Sequence, residues 1–442
     1  MQKHEQPTNR LEKMSNFFGG GNFSKLNLYG DSMKSRIQKR AKTGIKRTAF
    51  LLAVSFALGT EGADYASEPI KQTAFTACKV ELSPGVKYAT AGRTWQGCPT
   101  ICITKGGTLY AGWLTGGDNE AAPVTYNVLT RSRDGGFTWT SEPFLVIDSL
   151  PEKKIQTMDG QLWVDPDGKL WYFWQQEDRN PGAKQMLSVW AIVCDDPDAE
   201  KLSWSKPSFI TPGFLRNQPT VLKDGRWILC AYDGIDKHYR YTESRDKGKT
   251  WSRKIGGERY PSENCDETML VEQKDGKLSM LARCARNVGK LAESVSADGG
   301  KTWTKATLTE IPNPASRFVI KRLRSGRLLL VNNWDSKERI NLCAALSEDD
   351  GKTWKYRLVL DSRVCSYPDA VQGKDGEIYI IYDNMRHSHK EILICRITEE
   401  DIIKGPTWLH NNTKYNLLSP DSYLGQIVNK GRQYPVLTDA GK

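Results

Sequence analysis

Four stretches of the chain carry one pattern: SRDGGFTW at 132–139, SRDKGKTW at 244–251, SADGGKTW at 296–303 and SEDDGKTW at 347–354. In each S-x-D-x-G-x-T-W the Asp and Gly favour a tight turn, and Thr-Trp opens the segment that follows with a β-prone pair. The motif is therefore a hairpin with a Trp packed beneath it, scaffold rather than site. Counting onward from Trp139, Trp204, Trp251, Trp303, Trp354 and Trp408 follow at spacings of about 65, 47, 52, 51 and 54 residues. A period near 50 predicts propeller blades, with Trp204 and Trp408 marking degenerate copies.

A second marker is independent of the first. Turn glycines followed by an apolar or alternating run recur at Gly107, Gly168, Gly225, Gly276, Gly326 and Gly376, as in PDGKLWYFW and KDGEIYIIYD. Six such hairpins predict six blades. The expected fold is all-β: a six-bladed β-propeller with four-stranded antiparallel blades over 67–442, at roughly 60 residues per blade. Helical periodicity is scarce, with one turn expected near 399–403.

Residues 1–66 follow another logic. A basic stretch at 34–47, an apolar core at 48–59 and small residues beyond it form the three parts of an export signal, and Met33 is a plausible start. Eleven Lys and Arg against five acids precede Ser67, so more than half of the net charge of +11 sits there. The basic balance therefore gives no reason to expect a nucleic-acid partner. The apolar core is about half of the ~20 residues that a membrane helix needs, so export to the periplasm or beyond is expected, without a membrane anchor. All ten Cys lie downstream, where an oxidising compartment permits disulfides whose pairing the sequence leaves open. With no C-x-x-C pair, no Cys/His cluster and five His in all, no metal site is expected.

Propeller strands nearest the axis present equivalent positions to one mouth. Nine residues before each hairpin glycine stand Cys98, Asp159, Arg216, Glu267, Arg317 and Tyr367. Structural strand entries tend to be small or apolar; a ring of acid, base and phenol suits a cup for a charged ligand. The Trp-rich run 163–174 offers an aromatic platform for a sugar, or blade packing.

The repeated boxes resemble the Asp-box of the sialidase superfamily, and three segments sharpen the likeness. ETMLVEQKDGKLSMLAR (267–283) is similar to the segment with that family's catalytic glutamate and one arginine of its substrate-carboxylate triad, placing them at Glu267 and Arg283. RINLCAALSEDDGKTW (339–354) resembles the strand with another triad arginine, here Arg339. SYPDAVQGKDGEIYIIYD (366–383) resembles the stretch with the tyrosine nucleophile, here Tyr367.

The resemblance implies a retaining exo-glycosidase and no cofactor. Sialidases depart from the two-carboxylate scheme by using a tyrosine nucleophile; the substrate carboxylate on the anomeric carbon would repel an ionised acid. A phenol with an ordinary pKa of about 10 needs a base, which Glu267 supplies. Two departures stand out. Gly97 occupies the place of the first triad arginine, with Arg93, four residues upstream on the same strand face, as candidate substitute. The acid/base aspartate has no clean match, and Glu120, ahead of Asp118, is the expected proton donor. Arg216, Arg317 and Asp159 are expected at the substrate, and Asp369, Asp383 and Arg386 are lesser candidates. A hydrolase or lyase for a uronide or deoxysugar, and a carbohydrate-binding propeller without turnover, are the alternatives. The partner in every case is a glycan.

Overall fold

The computed structural model describes residues 76–180, 186–233, 237–262, 265–405 and 418–432. The expected export signal and Trp408 lie outside them. Among the described residues, no helix is long and apolar enough to cross a membrane.

Six antiparallel sheets follow one another along the chain, each ordered from the axis outward. Their innermost strands are Gln96–Ile103, Ile155–Val164, Thr220–Val221, Asp266–Glu272, Val319–Arg322 and Cys365–Gln372. Five blades have four strands. Blade 1 gains a fifth, Lys79–Glu81, paired on the outside of Leu145–Asp148. Blade 6 takes its outer strand, Tyr423–Lys430, from the C-terminal part of the chain. Among the described residues one short α-helix, Glu399–Lys404, starts with a capping box between Thr398 and Asp401, close to where helical periodicity placed it.

The six hairpin glycines join the first and second strands of their blades. Each accepts the same geometry: its N–H bonds the carbonyl three residues back at 2.9–3.2 Å, with φ between +84° and +100°. Only glycine enters that region without strain, which is why the marker recurs with so little variation.

The boxes join third to fourth strands in blades 1, 3, 4 and 5. Asp246 shows their logic. It accepts the Thr250 amide at 2.8 Å, the Thr250 hydroxyl at 2.5 Å and the Ser244 hydroxyl at 2.9 Å. Asp134, Asp298 and Asp349 repeat the set. The Thr hydroxyl first, then its amide, hold Asp246, Asp298 and Asp349 down to about 2. Asp134 also falls to about 2, its hydrogen bonds outweighing burial. A folded value below the unfolded one means that the ionised form stabilises the fold above about pH 4, and that this contribution fades between about pH 4 and 2. A variant with all four Asp changed to Asn should melt lower at pH 6 and lose less Tm than the parent on acidification through that window. Parallel Tm-against-pH curves would remove the boxes from the acid response.

Apolar packing lies between blades. Trp163, Trp171, Phe173, Leu215 and Trp227 fill the seam between blades 2 and 3, so the tryptophans at 163–174 pack sheets and offer no sugar platform. Trp204, the degenerate copy in blade 2, bridges Cys194 and packs against the seam between blades 1 and 2. All ten cysteines are buried as thiols, with the Cys265 and Cys284 sulfurs 2.9 Å apart.

The axis is polar. Asp369 of blade 6 accepts the Thr100 hydroxyl at 2.7 Å and the Ile101 amide at 3.1 Å from blade 1. It also takes the Gln218 amide of blade 3 at 3.0 Å, and pairs with Arg317 of blade 5 at 3.7 Å. One carboxylate thus ties four blades.

Candidate functional site

Bulges aim the ring. The innermost strands of blades 1, 2, 4 and 6 shift register at 97/100, 157/160, 266/269 and 366/369, around Cys98, Asp159, Glu267 and Tyr367. Cys98, Glu267 and Tyr367 adopt φ of +56°, +47° and +53°. Such strain in non-glycine residues is kept where surrounding structure fixes it, and a bulge redirects the side chain it carries.

Tyr367 and Glu267 meet at the centre: the Tyr367 hydroxyl donates to Glu267 Oε1 at 3.0 Å. Arg283 Nη1 lies 2.8 Å from the same Glu267 oxygen and donates to the Tyr367 hydroxyl at 3.2 Å, while its Nη2 pairs with Asp266 at 2.7 Å. Burial raises the Tyr367 pKa, with the Glu267 charge adding to it, so the phenol is protonated. Burial acts on Glu267 in the opposite sense from the charges of Arg283 and Arg216, and the charges win: its carboxyl is held below the ordinary value. A protonated nucleophile donating to an ionised base is the resting state that base-assisted attack requires.

The other ring members close around this pair. Arg339 reaches in from blade 5, its guanidinium 5.2 Å from the centre of the Tyr367 ring and its Nη2 on the Ala315 carbonyl at 2.8 Å. Arg216 contacts Asp159, Glu267 Oε1 at 3.1 Å and Glu120 Oε1 at 3.2 Å. Asp159, fully buried, therefore faces Arg216 rather than open space. Cys98, Glu120 and Asp159 bring their ligand atoms within 4.8 Å of one another, but the Arg216 guanidinium already supplies the cation that the two acids share.

Glu120 projects from the loop between Leu109–Thr115 and Tyr126–Ser132. Asn119 turns that loop by accepting the Ala121 amide at 2.8 Å, and Gln156 of blade 2 pins it by donating to the carbonyls of Glu120 and Ala122 at 3.0 Å each. Asp118 is exposed and its carboxylate bonds Asn119, outside the cup. Against burial, Arg216 and Arg386 hold the Glu120 carboxyl below its ordinary value.

Two expected residues are elsewhere. Arg93 does not replace the arginine absent at 97: it is buried against Trp113, bonds the Tyr88 carbonyl at 2.8 Å and lies 3.8 Å from Glu142. Arg317 has no exposed surface and serves the axis through Asp369 and the Pro99 carbonyl. In blade 5 the positive φ falls on Ala315, two residues before the position that the hairpin count selects, and this offset takes Arg317 out of the cup. Arg386, only a lesser candidate by sequence, lies at the centre. Its guanidinium is 4.2 Å from the Tyr367 ring centre, with Nη1 3.3 Å from Glu120 and Nη2 2.8 Å from Asp383. A cleft of about 500 Å³ between blades 4 and 5, lined by Leu308, Trp334 and Trp354, includes none of these residues.

Residues 107–380 match the model of the BNR repeat-like domain. The chain belongs to that family, a sialidase-superfamily propeller. Among curated relatives of this BNR propeller, a sialidase of Micromonospora viridifaciens is 28% identical over 329 residues, covering 64% of this chain and 49% of the relative. A sialidase of Bacteroides fragilis is 25% identical over 279 residues, covering 53% and 49%. The chain thus spans about half the length of the curated relatives it matches. Among solved structures, a Hadza microbial sialidase superposes with a TM-score of 0.59 at 21% identity, over 72% of this chain and 67% of that one. The intramolecular trans-sialidase of Ruminococcus gnavus gives 0.56 at 16%, over 72% and 98%. At such identity these structures speak for the fold.

Proposed function

We propose that this BNR propeller is an exported exo-glycosidase of sialidase type, which releases a terminal carboxylate-bearing sugar from a glycan with retention of configuration. The observation that carries the reading is the Tyr367–Glu267 contact with Arg283 bridging both. Relatives named as sialidases support the substrate class, and the basic-then-apolar segment 34–59 supports export.

The chemistry follows from the positions. The Tyr367 oxygen attacks the anomeric carbon as its proton passes to Glu267; the glycosidic bond breaks, and Glu120 protonates the departing oxygen. Water then attacks the anomeric carbon and gives a proton to Glu120, the bond to the Tyr367 oxygen breaks, and Glu267 returns its own proton to the phenolate. Arg283 stays bonded across both steps, stabilising negative charge as it moves between the two oxygens. No step calls for a cofactor.

Incubating the purified protein with a sialoside, a uronide and a deoxysugar glycan, with product masses as readout, tests the reading. Free sialic acid as the sole product supports it. An unsaturated product would show elimination instead, and no product from any glycan would leave a binding propeller.

Glu120→Gln separates proton donation from the rest. Aryl sialosides with acidic leaving groups need little help in the first step, so kcat/KM, which reports that step, should fall less than about tenfold. For a sialylated lactose, whose leaving alkoxide needs a proton, the loss should reach about 10² to 10⁴. Equal losses on both substrates would remove Glu120 from the acid role.

A further inference from the structure

Arg386 and Gly97 come from distant parts of the chain and share one space. A Cβ added to Gly97 would stand 2.7 Å from both Cδ and Nε of Arg386 and 3.0 Å from its Cγ. The arginine side chain therefore packs against the bare backbone of the blade 1 entry. A side chain at 97 and this rotamer of Arg386 exclude each other.

The guanidinium is held from behind. Nε and Nη2 lie 2.9 and 2.8 Å from Asp383 Oδ2. Asp383 is itself fixed by the Cys98 amide at 2.9 Å and the Ser366 hydroxyl at 2.7 Å. Its Nη1 makes a long 3.3 Å contact with Glu120, a side chain that is 31% exposed. A guanidinium anchored on one edge, with the other edge loosely engaged, is organised to accept an anion. Arg339 flanks the same tyrosine ring, and no carboxylate pairs with it among the described residues.

We propose that Arg386 binds the carboxylate of the substrate in place of an arginine at position 97, exchanging its contact with Glu120 for one with the bound sugar. The proposal rests on the carboxylate-sugar reading of the cup. It makes Arg386 specific for charge. It also links binding to proton donation, because a bound anion neutralises part of the field that keeps Glu120 ionised. Glu120 is faced by Arg216, Arg386 and Arg339, with Cys98 and Asp159 beside it; Arg386 is faced by Asp383, Cys98, Glu120 and Tyr367. Loss of one cation from that set raises the Glu120 pKa, the direction a proton donor needs.

The test compares the parent with Arg386→Gln, Gly97→Ala and the exchange variant Arg386→Ala/Gly97→Arg. Binding of sialic acid and of its methyl ester is measured by calorimetry, and turnover of a fluorogenic sialoside is followed against pH. Arg386→Gln should cut the preference for acid over ester at least about tenfold, the size of one charge-assisted contact. It should also move the alkaline limb of kcat/KM to higher pH. Gly97→Ala, which displaces the guanidinium without removing charge, should weaken acid binding more than ester binding, and the exchange variant should recover part of the preference. If the parent turns the sialoside over and Arg386→Gln keeps both the acid preference and the pH limb, the assignment of Arg386 is overturned while the proposed reaction stands. If the parent prefers the acid through Arg386 but releases no sugar, the reaction is overturned and the assignment stands.

Discussion

Tyr367→Phe is expected to leave the propeller folded and to lower kcat by at least about three orders of magnitude, because the atom that forms the covalent bond is gone. The ring stays. It remains stacked beneath Arg386 at 4.2 Å and Arg339 at 5.2 Å, so far-ultraviolet circular dichroism and Tm should change little. Glu267→Gln should cost about 10² to 10⁴ in kcat for loss of the base. It should also lower stability, since Arg216 and Arg283 both lose a buried carboxylate partner. The two variants differ in that second readout: only Glu267→Gln disturbs buried charge. Measurable kcat in Tyr367→Phe within tenfold of the parent would remove the phenol from the mechanism.

The second large effect concerns the axis. Asp369→Ala should destabilise the fold by about 3–5 kcal/mol, the usual result of stripping one partner from a buried ion pair. Here the loss also orphans the Thr100 hydroxyl, the Ile101 amide and the Gln218 side chain, donors from two other blades. In urea the midpoint should fall with the slope unchanged, as expected when stability changes but exposed surface does not. Asp369→Asn keeps an acceptor for Thr100 and should recover part of the loss. A midpoint within error of the parent would mean that apolar seams alone close the ring.

These residues also show how much of the molecule is legible in its sequence. The fold is legible because a closed ring of similar blades repeats its turn chemistry: six glycines with φ near +90° and four boxes with one hydrogen-bond set leave a period that needs no coordinates. Tyr367, Glu267, Arg283 and Arg339 come together, with Glu120 joining them from its loop. Periodicity fails where local backbone departs from it. Counting nine residues back from Gly326 selects Arg317, yet blade 5 shifts its positive φ to Ala315, and the arginine pairs with Asp369 instead. Arg386 escapes the count altogether, because it follows the second strand of blade 6 and enters the cup over a neighbour's backbone. The signal that points to it is the absence at 97: a glycine where a side chain is expected leaves room for one from elsewhere. Asp369 and Asp383, two carboxylates near Tyr367 in sequence, look equivalent there. In space one ties blades at the axis and the other anchors Arg386.

The most direct measurement is to stop the reaction halfway. A fluorine beside the anomeric centre destabilises the cation-like transition states, and a fluoride leaving group keeps the first step fast, so a fluorinated sialosyl fluoride should load the enzyme and release it slowly. Peptide mapping by mass spectrometry should then find one added glycosyl group on Tyr367, absent after prolonged incubation in buffer as activity returns. A glycosyl group on any other side chain, or sustained turnover with Tyr367 unmodified, would contradict the phenol–carboxylate mechanism.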